Sequence, residues 1–160
     1  MSKVIAVVGA TGAQGGGLVR AILENPQSGF TARALTRDVN SDKAQELKRL
    51  GAEVVQATLE DADSIKKGFE GAYGAFCVTF FWDHFSPEKE TEHAQILAEA
   101  CQHAGIQHAV WSTLEDSRSN VPLDDDRMPS LMGKYRCPTS TPRVRLTSSS
   151  GKGEFPQPSC

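Results

Sequence analysis

Residues 4–15 read Val-Ile-Ala-Val-Val-Gly-Ala-Thr-Gly-Ala-Gln-Gly, and this stretch decides the fold. Its first part, Val4–Val8, is a continuous and mostly β-branched apolar run, typical of a strand buried on both faces of a parallel sheet. Gly9, Gly12 and Gly15 follow with the spacing GxxGxxG and lead into a helical pattern. At such a position the first glycine permits a tight turn, the second lets a pyrophosphate approach the backbone, and the third lets the helix pack against the strand. The stretch therefore predicts a phosphate site at a helix N-terminus.

Length and composition limit the classes of protein to consider. A chain of 160 residues is long enough for one domain with a sizeable core. The formal net charge of -3 gives no electrostatic case for nucleic acid or an anionic membrane as a partner. No apolar stretch approaches the roughly 18 residues of a membrane-spanning helix. We therefore expect one globular domain that binds neither nucleic acid nor membrane.

The cysteines and histidines indicate the compartment and argue against a metal site. The four cysteines, at positions 77, 101, 137 and 160, show no CxxC spacing, and the N-terminus enters a strand with no signal peptide before it. We therefore expect a reducing setting inside the cell, cytoplasmic or nuclear. His84 and His93 lack metal-ligand spacing with any cysteine or carboxylate cluster, so no metal site is predicted.

Apolar runs and helical patterns alternate along the first two thirds of the chain. Strands are predicted at 3–8, 30–36, 53–57, 74–78 and 107–112, and helices at 12–24, 42–50, 62–69 and 87–104. This alternation predicts an α/β, Rossmann-type fold with a doubly wound parallel sheet in the order 3-2-1-4-5. Beyond Leu114 the pattern fails, so we expect a fold that is incomplete at its C-terminal side. The expected segments are an NAD(P)-binding domain over 1–114, a polar connection over 115–136 and a disordered tail over 137–160.

The helical patterns also predict which side chains face the core. Asp61 is expected to cap the third helix, and Ser86 the fourth. The remaining polar residues of the fourth helix, including His103, are expected to form a solvated face. The predicted inward residues are Leu18, Ala21, Ile22 and Leu23 in the first helix, Ala44, Leu47 and Leu50 in the second, and Ala94, Leu97, Cys101 and Ala104 in the fourth.

The residue after the second strand predicts the type of cofactor. An enzyme that selects NAD usually places an acid there for the ribose 2′-hydroxyl, whereas an arginine accommodates a 2′-phosphate. Arg37 comes first after this strand, which favours NADP(H) over NAD(H). The alternative is that Arg37 is an ordinary solvated charge and that Asp38 binds the ribose.

The segment Thr79–Phe85 holds four aromatic residues between the fourth strand and the next helix. Because it leaves the carboxyl edge of the sheet beside the glycine turn, we expect it to wall the nicotinamide end of a cofactor and any substrate pocket. The alternative is that the aromatic rings merely pack beneath the loop.

Several of these stretches together resemble the NmrA-like family of atypical short-chain dehydrogenase/reductases. They are GATGAQG at 9–15, Leu-Thr-Arg at 35–37, Val-Thr at 78–79, the stretch 81–90 and Trp-Ser-Thr-Leu-Glu at 111–115. The resemblance covers about residues 3–136 and implies a Rossmann fold that binds NADP(H). It implies that 11–15 contact the pyrophosphate, Arg37 the 2′-phosphate, 58–59 the adenine, and 79–81 the ribose and nicotinamide. The predicted cofactor-binding residues are Gly9, Thr11, Gly12, Ala13, Gln14, Gly15, Arg37, Thr58, Leu59, Thr79, Phe80 and Phe81.

The resemblance implies regulation rather than catalysis. Family members are better known as cofactor-sensing regulators acting through protein partners, and they usually carry His-x-x-x-Lys in place of the reductase pair Tyr-x-x-x-Lys. This chain has no Tyr-x-x-x-Lys from Thr113 onward and no histidine after His108, so no catalytic residue is predicted. One alternative is an NADPH-dependent reductase of the isoflavone-reductase type, for which Lys134 is the nearest candidate lysine. Another is a product that binds cofactor weakly or not at all.

The tail suggests why the pair is missing. Residues 137–160 have no apolar periodicity and too few large apolar side chains to offset the entropy of ordering. If one base is restored at the Arg136 codon, permitted codons let the other frame read VPHIDAKGEADEFFREGGVPPTLL, which contains His-x-x-x-Lys. Our hypothesis is that everything after Arg136 is a frameshifted translation. Loss of the later strands would leave the fifth strand as an exposed edge, prone to self-association.

Overall fold

A computed structural model describes residues 2–113 of the chain. The predicted polar connection at 115–136 and the predicted tail at 137–160 lie outside these residues. The strands are β1 (Lys3–Val7), β2 (Phe30–Thr36), β3 (Glu53–Gln56), β4 (Gly74–Val78) and β5 (His108–Ser112). The helices are α1 (Ala13–Leu23), α2 (Asp42–Arg49), α3 (Ala62–Phe69), α4 (Phe81–His84) and α5 (Pro87–His103), with a short 3-10 helix at Pro26–Ser28.

The five described strands form one sheet in the order β3-β2-β1-β4-β5, which confirms the predicted α/β fold and strand order. β1 pairs in parallel with β2 on one side and with β4 on the other, and β2 pairs in parallel with β3. β1 lies between β2, the next strand along the chain, and β4, which comes two strands after β2, so the order of the sheet reverses at β1. Ligands of such sheets bind outside the carboxyl ends of the strands at this reversal.

The chain divides into two compact units. The first unit is Met1–Val78 with Ile96–Trp111 and contains the sheet. The second unit contains the segment Thr79–Gln95, which includes α4 and the first half of α5.

The buried face of α1 differs from the prediction. Val19 is completely buried, together with Gly15 and Gly16, whereas Ala21 is exposed and was wrongly expected to face the core. The reason is that the close contact of the two glycines with the preceding turn fixes the rotation of the helix. The inward stripe then continues through Val19 to the half-buried Ile22.

The second helix confirms one prediction and corrects another. Ala44 and Leu47 are buried, as expected, but Leu50 is 51% exposed. Leu50 follows the end of α2 as its C-cap, so the helical repeat that would have turned it inward has already stopped. The expected cap of α3 is present, since the Asp61 carboxylate accepts hydrogen bonds from the backbone N–H groups of Asp63 and Ser64, at 3.1 and 3.3 Å.

The fourth predicted helix corresponds to α5, and its polar face is not entirely solvated. Ala94, Leu97 and Cys101 are buried as predicted, but Glu90 and His93 are also buried, with 5% and 6% exposure. Both continue the same helical stripe toward the N-terminus, because Glu90 lies four residues before Ala94. The prediction was wrong because it assigned residues to a face by polarity alone.

Candidate nucleotide-binding site

The glycine turn is held at the carboxyl edge of the sheet by both neighbours of β1. The Val8 N–H donates to the Phe76 carbonyl of β4 at 3.0 Å, and the Ala10 N–H donates to the Leu35 carbonyl of β2 at 3.2 Å. These two bonds hold the turn at the reversal of strand order, which is where a Rossmann sheet binds its ligand.

Gly9 makes the turn tight. Its φ is +65°, in the left-handed region where a side chain is disfavoured. The Gly12 N–H donates to the Gly9 carbonyl at 2.9 Å, and this bond closes the turn immediately before α1. The structure thus gives Gly9 the turn role that the motif predicts.

Gly15 lets the helix approach the turn. A Cβ atom at this position would lie 2.4 Å from the Gly9 carbonyl oxygen and 2.8 Å from the Gly9 carbonyl carbon. Gly16 is also restricted, since a Cβ atom there would lie 3.0 Å from the Ala10 carbonyl oxygen, and the sequence analysis did not single it out. Gly17 has nothing within 4 Å, so the close contact ends one residue later.

The N-terminus of α1 is suited to an anion. Backbone N–H groups in the first turn of a helix have no acceptor within the helix and carry the positive end of its dipole. The N-cap is Gly12, which has no side chain to occupy these groups, and the first turn contains no acidic residue. Gly12, Ala13 and Gln14 are exposed, and Thr11 is half-buried. The residues present therefore fit a pyrophosphate group.

Arg37 and Asp38 follow β2 directly, at the same edge of the sheet. Both are exposed. The Arg37 carbonyl accepts a bond from the Gln56 side chain at 3.3 Å, which ties the end of β2 to the end of β3. Asp38 Oδ1 accepts from the backbone N–H of Asn40 at 2.8 Å, so this carboxylate is engaged in its own loop.

Thr58 and Leu59 follow β3, and their side chains are largely used inside the protein. Leu59 is only 6% exposed. The Thr58 hydroxyl accepts a hydrogen bond from the Glu60 N–H at 3.4 Å. The Thr58 backbone N–H donates to the Ser64 hydroxyl at 3.1 Å, and the Thr58 carbonyl accepts from the same hydroxyl at 3.2 Å. The structure therefore offers mainly the exposed surface of this loop, rather than the Leu59 side chain, for a contact with adenine.

In the second unit, the three predicted site residues have different environments. Thr79 and Phe80 are half-buried, and Phe81 is 3% exposed. The Phe81 ring makes edge contacts with Trp82 and Phe85, whose own side chains are 67% and 63% exposed. The short helix α4, which the sequence analysis treated as a loop, creates this arrangement by placing Phe81 inward. The burial of Phe81 agrees with the alternative interpretation, in which the aromatic rings pack beneath the loop.

A buried polar cluster in the second unit was missed by the sequence analysis. The Thr79 hydroxyl donates to Oε1 of the buried Glu90. The other carboxylate oxygen, Oε2, lies 3.5 Å from Nε2 of His84. Because His84 Nδ1 accepts from the Ser86 N–H at 3.0 Å, the ring hydrogen is assigned to Nε2, facing the carboxylate. The sequence contained one signal for this cluster, because Glu90 lies on the same face of α5 as the apolar residues of that helix.

Two further structural findings concern metal binding and membrane-spanning helices. Within residues 2–113, no group of three or more histidine, cysteine or acidic side chains is arranged to hold a metal ion. Among the helices of that same part of the chain, none combines the length and the apolar character needed to cross a membrane.

Comparison with known proteins identifies the family. The model of the NmrA-like family matches residues 1–132. The chain belongs to the NmrA-like family. An NmrA-like family domain-containing oxidoreductase of Aspergillus hancockii is 41% identical over 115 residues, which are 70% of this chain and 34% of that protein. One of Cladobotryum sp is 36% identical over 117 residues, covering 71% and 34%. The chain thus spans about a third of the length of these NmrA-like relatives.

Solved structures agree with the family. NmrA, a negative transcriptional regulator, aligns with a TM-score of 0.65 and 30% identity over 76% of this chain and 37% of that one. NmrA has been solved in complex with NAD and, separately, with NADP. Citrobacter sp. triphenylmethane reductase complexed with NADP(H) aligns with a TM-score of 0.60 and 25% identity, over 75% and 40% of the two chains. NmrA-like neighbours therefore include both a regulator and a reductase.

Proposed function

We propose that this chain is an NADP(H)-binding, NmrA-like domain that senses the cofactor and acts through a protein partner rather than as a catalyst. The observation that carries the proposal is the glycine turn, whose backbone bonds fix it at the reversal of strand order beside an exposed helix N-terminus. The names of the neighbours support it, since NmrA is a transcriptional regulator with NAD and NADP complexes.

The preference for NADP(H) over NAD(H) is part of the proposal. Arg37 is exposed at the edge of the sheet that carries the glycine turn, and the Ala10–Leu35 bond ties that turn to the strand that Arg37 follows. A guanidinium in this place matches a 2′-phosphate because it can donate two parallel hydrogen bonds. The engagement of Asp38 Oδ1 with Asn40 argues in the same direction, since it opposes the alternative in which Asp38 takes the ribose.

A second candidate is an NADPH-dependent reductase. It is favoured by the curated relatives, which are named oxidoreductases, and by the likeness to triphenylmethane reductase. When bound, NADPH would supply a hydride to an oxidised substrate. What supports the sensor over the reductase within these 160 residues is that no tyrosine after Thr113 has a lysine at the Tyr-x-x-x-Lys spacing to assist proton donation.

Calorimetric titration separates these functions. NADP+ and NAD+ are titrated separately into the 160-residue chain, and NADPH consumption is then followed with a panel of carbonyl and quinone substrates. The sensor predicts selective binding of NADP+ without turnover. Turnover of NADPH would replace it with the reductase, and no binding of either nucleotide would indicate the weakly binding or non-functional product.

Arg37→Ala tests the basis of the selectivity. We expect the preference for NADP+ over NAD+ to fall by about 1 to 3 kcal/mol, the range for charge-assisted hydrogen bonds. Arg49→Ala is the matched control, since Arg49 is an exposed arginine at the opposite end of α2. An unchanged preference in Arg37→Ala would remove Arg37 from the site.

Three further proposals concern the rest of the chain. We propose that its location is cytoplasmic or nuclear and that β5, the last strand of the described sheet, allows self-association through its outer edge. We also propose that the frame changes after Arg136, which is supported by a family match that ends at residue 132. Sequencing the transcript across the Arg136 codon tests the last proposal. An unrelated exon at that position would contradict it.

A further inference from the structure

Two cysteine side chains meet inside the first unit, away from the glycine turn. Cys77 lies on β4 and Cys101 on α5, and their side chains are 0% and 3% exposed. Their Sγ atoms are 3.9 Å apart, within the range of a sulfur hydrogen bond. The burial of Cys101 was predicted from the helical pattern, but its contact with Cys77 was not.

The two thiols are not equivalent. The hydrogen bond with Cys101, reinforced by burial, raises the pKa of the Cys77 thiol well above its ordinary value. The same hydrogen bond lowers the pKa of Cys101, since a Cys77 S–H group that donates to Cys101 stabilises its thiolate, although burial works against this. The lowered pKa of Cys101 and its place in the last turn of α5 together make it the thiol that we expect to react first, because the thiolate and not the thiol is the reactive form.

We propose that Cys77 and Cys101 form a redox site, in which a hydroperoxide oxidises the two thiols to a disulfide joining β4 to α5. The proposal rests on the contact between the two sulfur atoms and on their positions in strand and helix, and it requires no nucleotide.

The chemistry balances in two steps. The Cys101 thiolate attacks the terminal oxygen of the hydroperoxide, the O–O bond breaks, and Cys101 becomes a sulfenic acid. The leaving alkoxide or hydroxide takes up the proton that the Cys101 thiol released and departs as an alcohol or water. The Cys77 sulfur then attacks the Cys101 sulfur, the S–O bond breaks, and water leaves with the proton of Cys77. In total, two thiols lose two protons and two electrons, and one hydroperoxide takes them up to give one alcohol, or one water, plus one further water.

The second step brings two sulfur atoms together that already touch. A disulfide requires them to approach from 3.9 Å to about 2.05 Å, by movement of the two side chains. Cys101 lies in the last turn of α5, and its neighbours Gln102 and His103 are exposed. Access of a small oxidant to the Cys101 sulfur requires local opening of this turn, whose Cys101 carbonyl accepts a hydrogen bond from the Ile106 N–H at 3.0 Å.

Peptide mapping of peroxide-treated protein tests the site. The folded chain is treated with hydrogen peroxide, blocked with an alkylating agent and digested with trypsin without reduction. Cleavage after Lys67, Lys89 and Arg118 places Cys77 and Cys101 in separate peptides. We expect these two peptides to appear linked, with a mass about 2 Da below their sum, and the link to disappear after reduction.

Controls distinguish this site from general oxidation. The same treatment in urea should lose the selectivity, so that links to Cys137 and Cys160 appear as well. In Cys77→Ser the link should disappear and a sulfenic-acid reagent should label Cys101, whereas in Cys101→Ser the remaining Cys77 should stay unlabelled. If either variant fails to fold, the wild-type comparison of folded with urea-treated chain decides the question alone.

Two results would overturn the proposal. One is a folded chain in which both thiols remain reduced at peroxide concentrations that link cysteines in urea. The other is a folded chain in which Cys77 reacts before Cys101.

Discussion

The glycine turn at residues 8–16 and the segment at 79–95 are built in opposite ways. The turn is formed by backbone atoms. Its shape requires that residue 15 has no side chain, since a Cβ atom on Gly15 would overlap the Gly9 carbonyl. The segment is built from side chains, with Phe81 buried among rings and the Glu90 carboxylate bound by Thr79. A backbone site restricts the residue type so strongly that the sequence reveals it. A side-chain cluster depends on distances that only the fold supplies.

Phe81→Ala is expected to have the largest effect. Removing this buried ring leaves a cavity among Trp82, His84 and Phe85, so the free energy of unfolding should fall by about 3 kcal/mol. Denaturant titration measures it. Trp82→Ala is the matched control, because Trp82 is 67% exposed and its removal should change stability by at most about 0.5 kcal/mol. Equal losses of unfolding free energy in the two variants would contradict the buried position of the Phe81 ring within the aromatic segment.

Gly15→Ala should follow. The new methyl group would meet the Gly9 carbonyl at 2.4 Å, and because the obstacle is backbone the turn itself must shift, at a cost of about 2 kcal/mol. Thermal unfolding measures the stability, and calorimetry should show that binding of NADP+ is lost.

Gly17→Ala is the control for that substitution, on the same helix and two residues away. A Cβ atom on Gly17 meets nothing within 4 Å, so the better helix propensity of alanine should raise stability by about 0.5 to 1 kcal/mol. Retained NADP+ binding in Gly15→Ala would contradict the role given to the turn.

Glu90→Ala should have the smallest of the three main effects. It removes the buried acceptor of the Thr79 hydroxyl and leaves this half-buried donor without the carboxylate, which costs about 1.5 kcal/mol. Glu90→Gln keeps an oxygen that accepts from Thr79, so urea unfolding should show a smaller loss. If glutamine and alanine destabilise the chain equally, the Thr79 bond contributes nothing and only the charge of the carboxylate matters.

Much of the fold follows from the sequence because its signals are local. The bounds of β2, α3 and β4 agree with their apolar runs and caps, and the strand order follows from the handedness of parallel crossovers. The wrong predictions concern how a helix is rotated about its axis and where a helix ends. Ala21 faces outward because the contact of Gly15 with the turn rotates α1, and Leu50 is exposed because α2 ends one residue earlier.

The parts of the candidate site that are formed by backbone atoms could be predicted from the sequence, whereas the parts that depend on side-chain packing could not. The turn at Gly9 and the close approach at Gly15 follow from spacing alone. The cluster of His84 and Glu90 does not, because α4 turns His84 back toward α5, and four residues of helix are too few for a periodic signal. The contact between Cys77 and Cys101 likewise needs the packing of a helix on a strand, which no local pattern specifies.

The most direct test of the central claim, that the glycine turn binds the cofactor, is an amide NMR spectrum of the 15N-labelled chain recorded during titration with NADP+. The account predicts that the largest shifts occur at the amides of residues 10–15, with Arg37 next, while the amides of α3 stay in place. Saturating NADP+ that leaves the amides of residues 10–15 unmoved, or shifts another region more strongly, would contradict it.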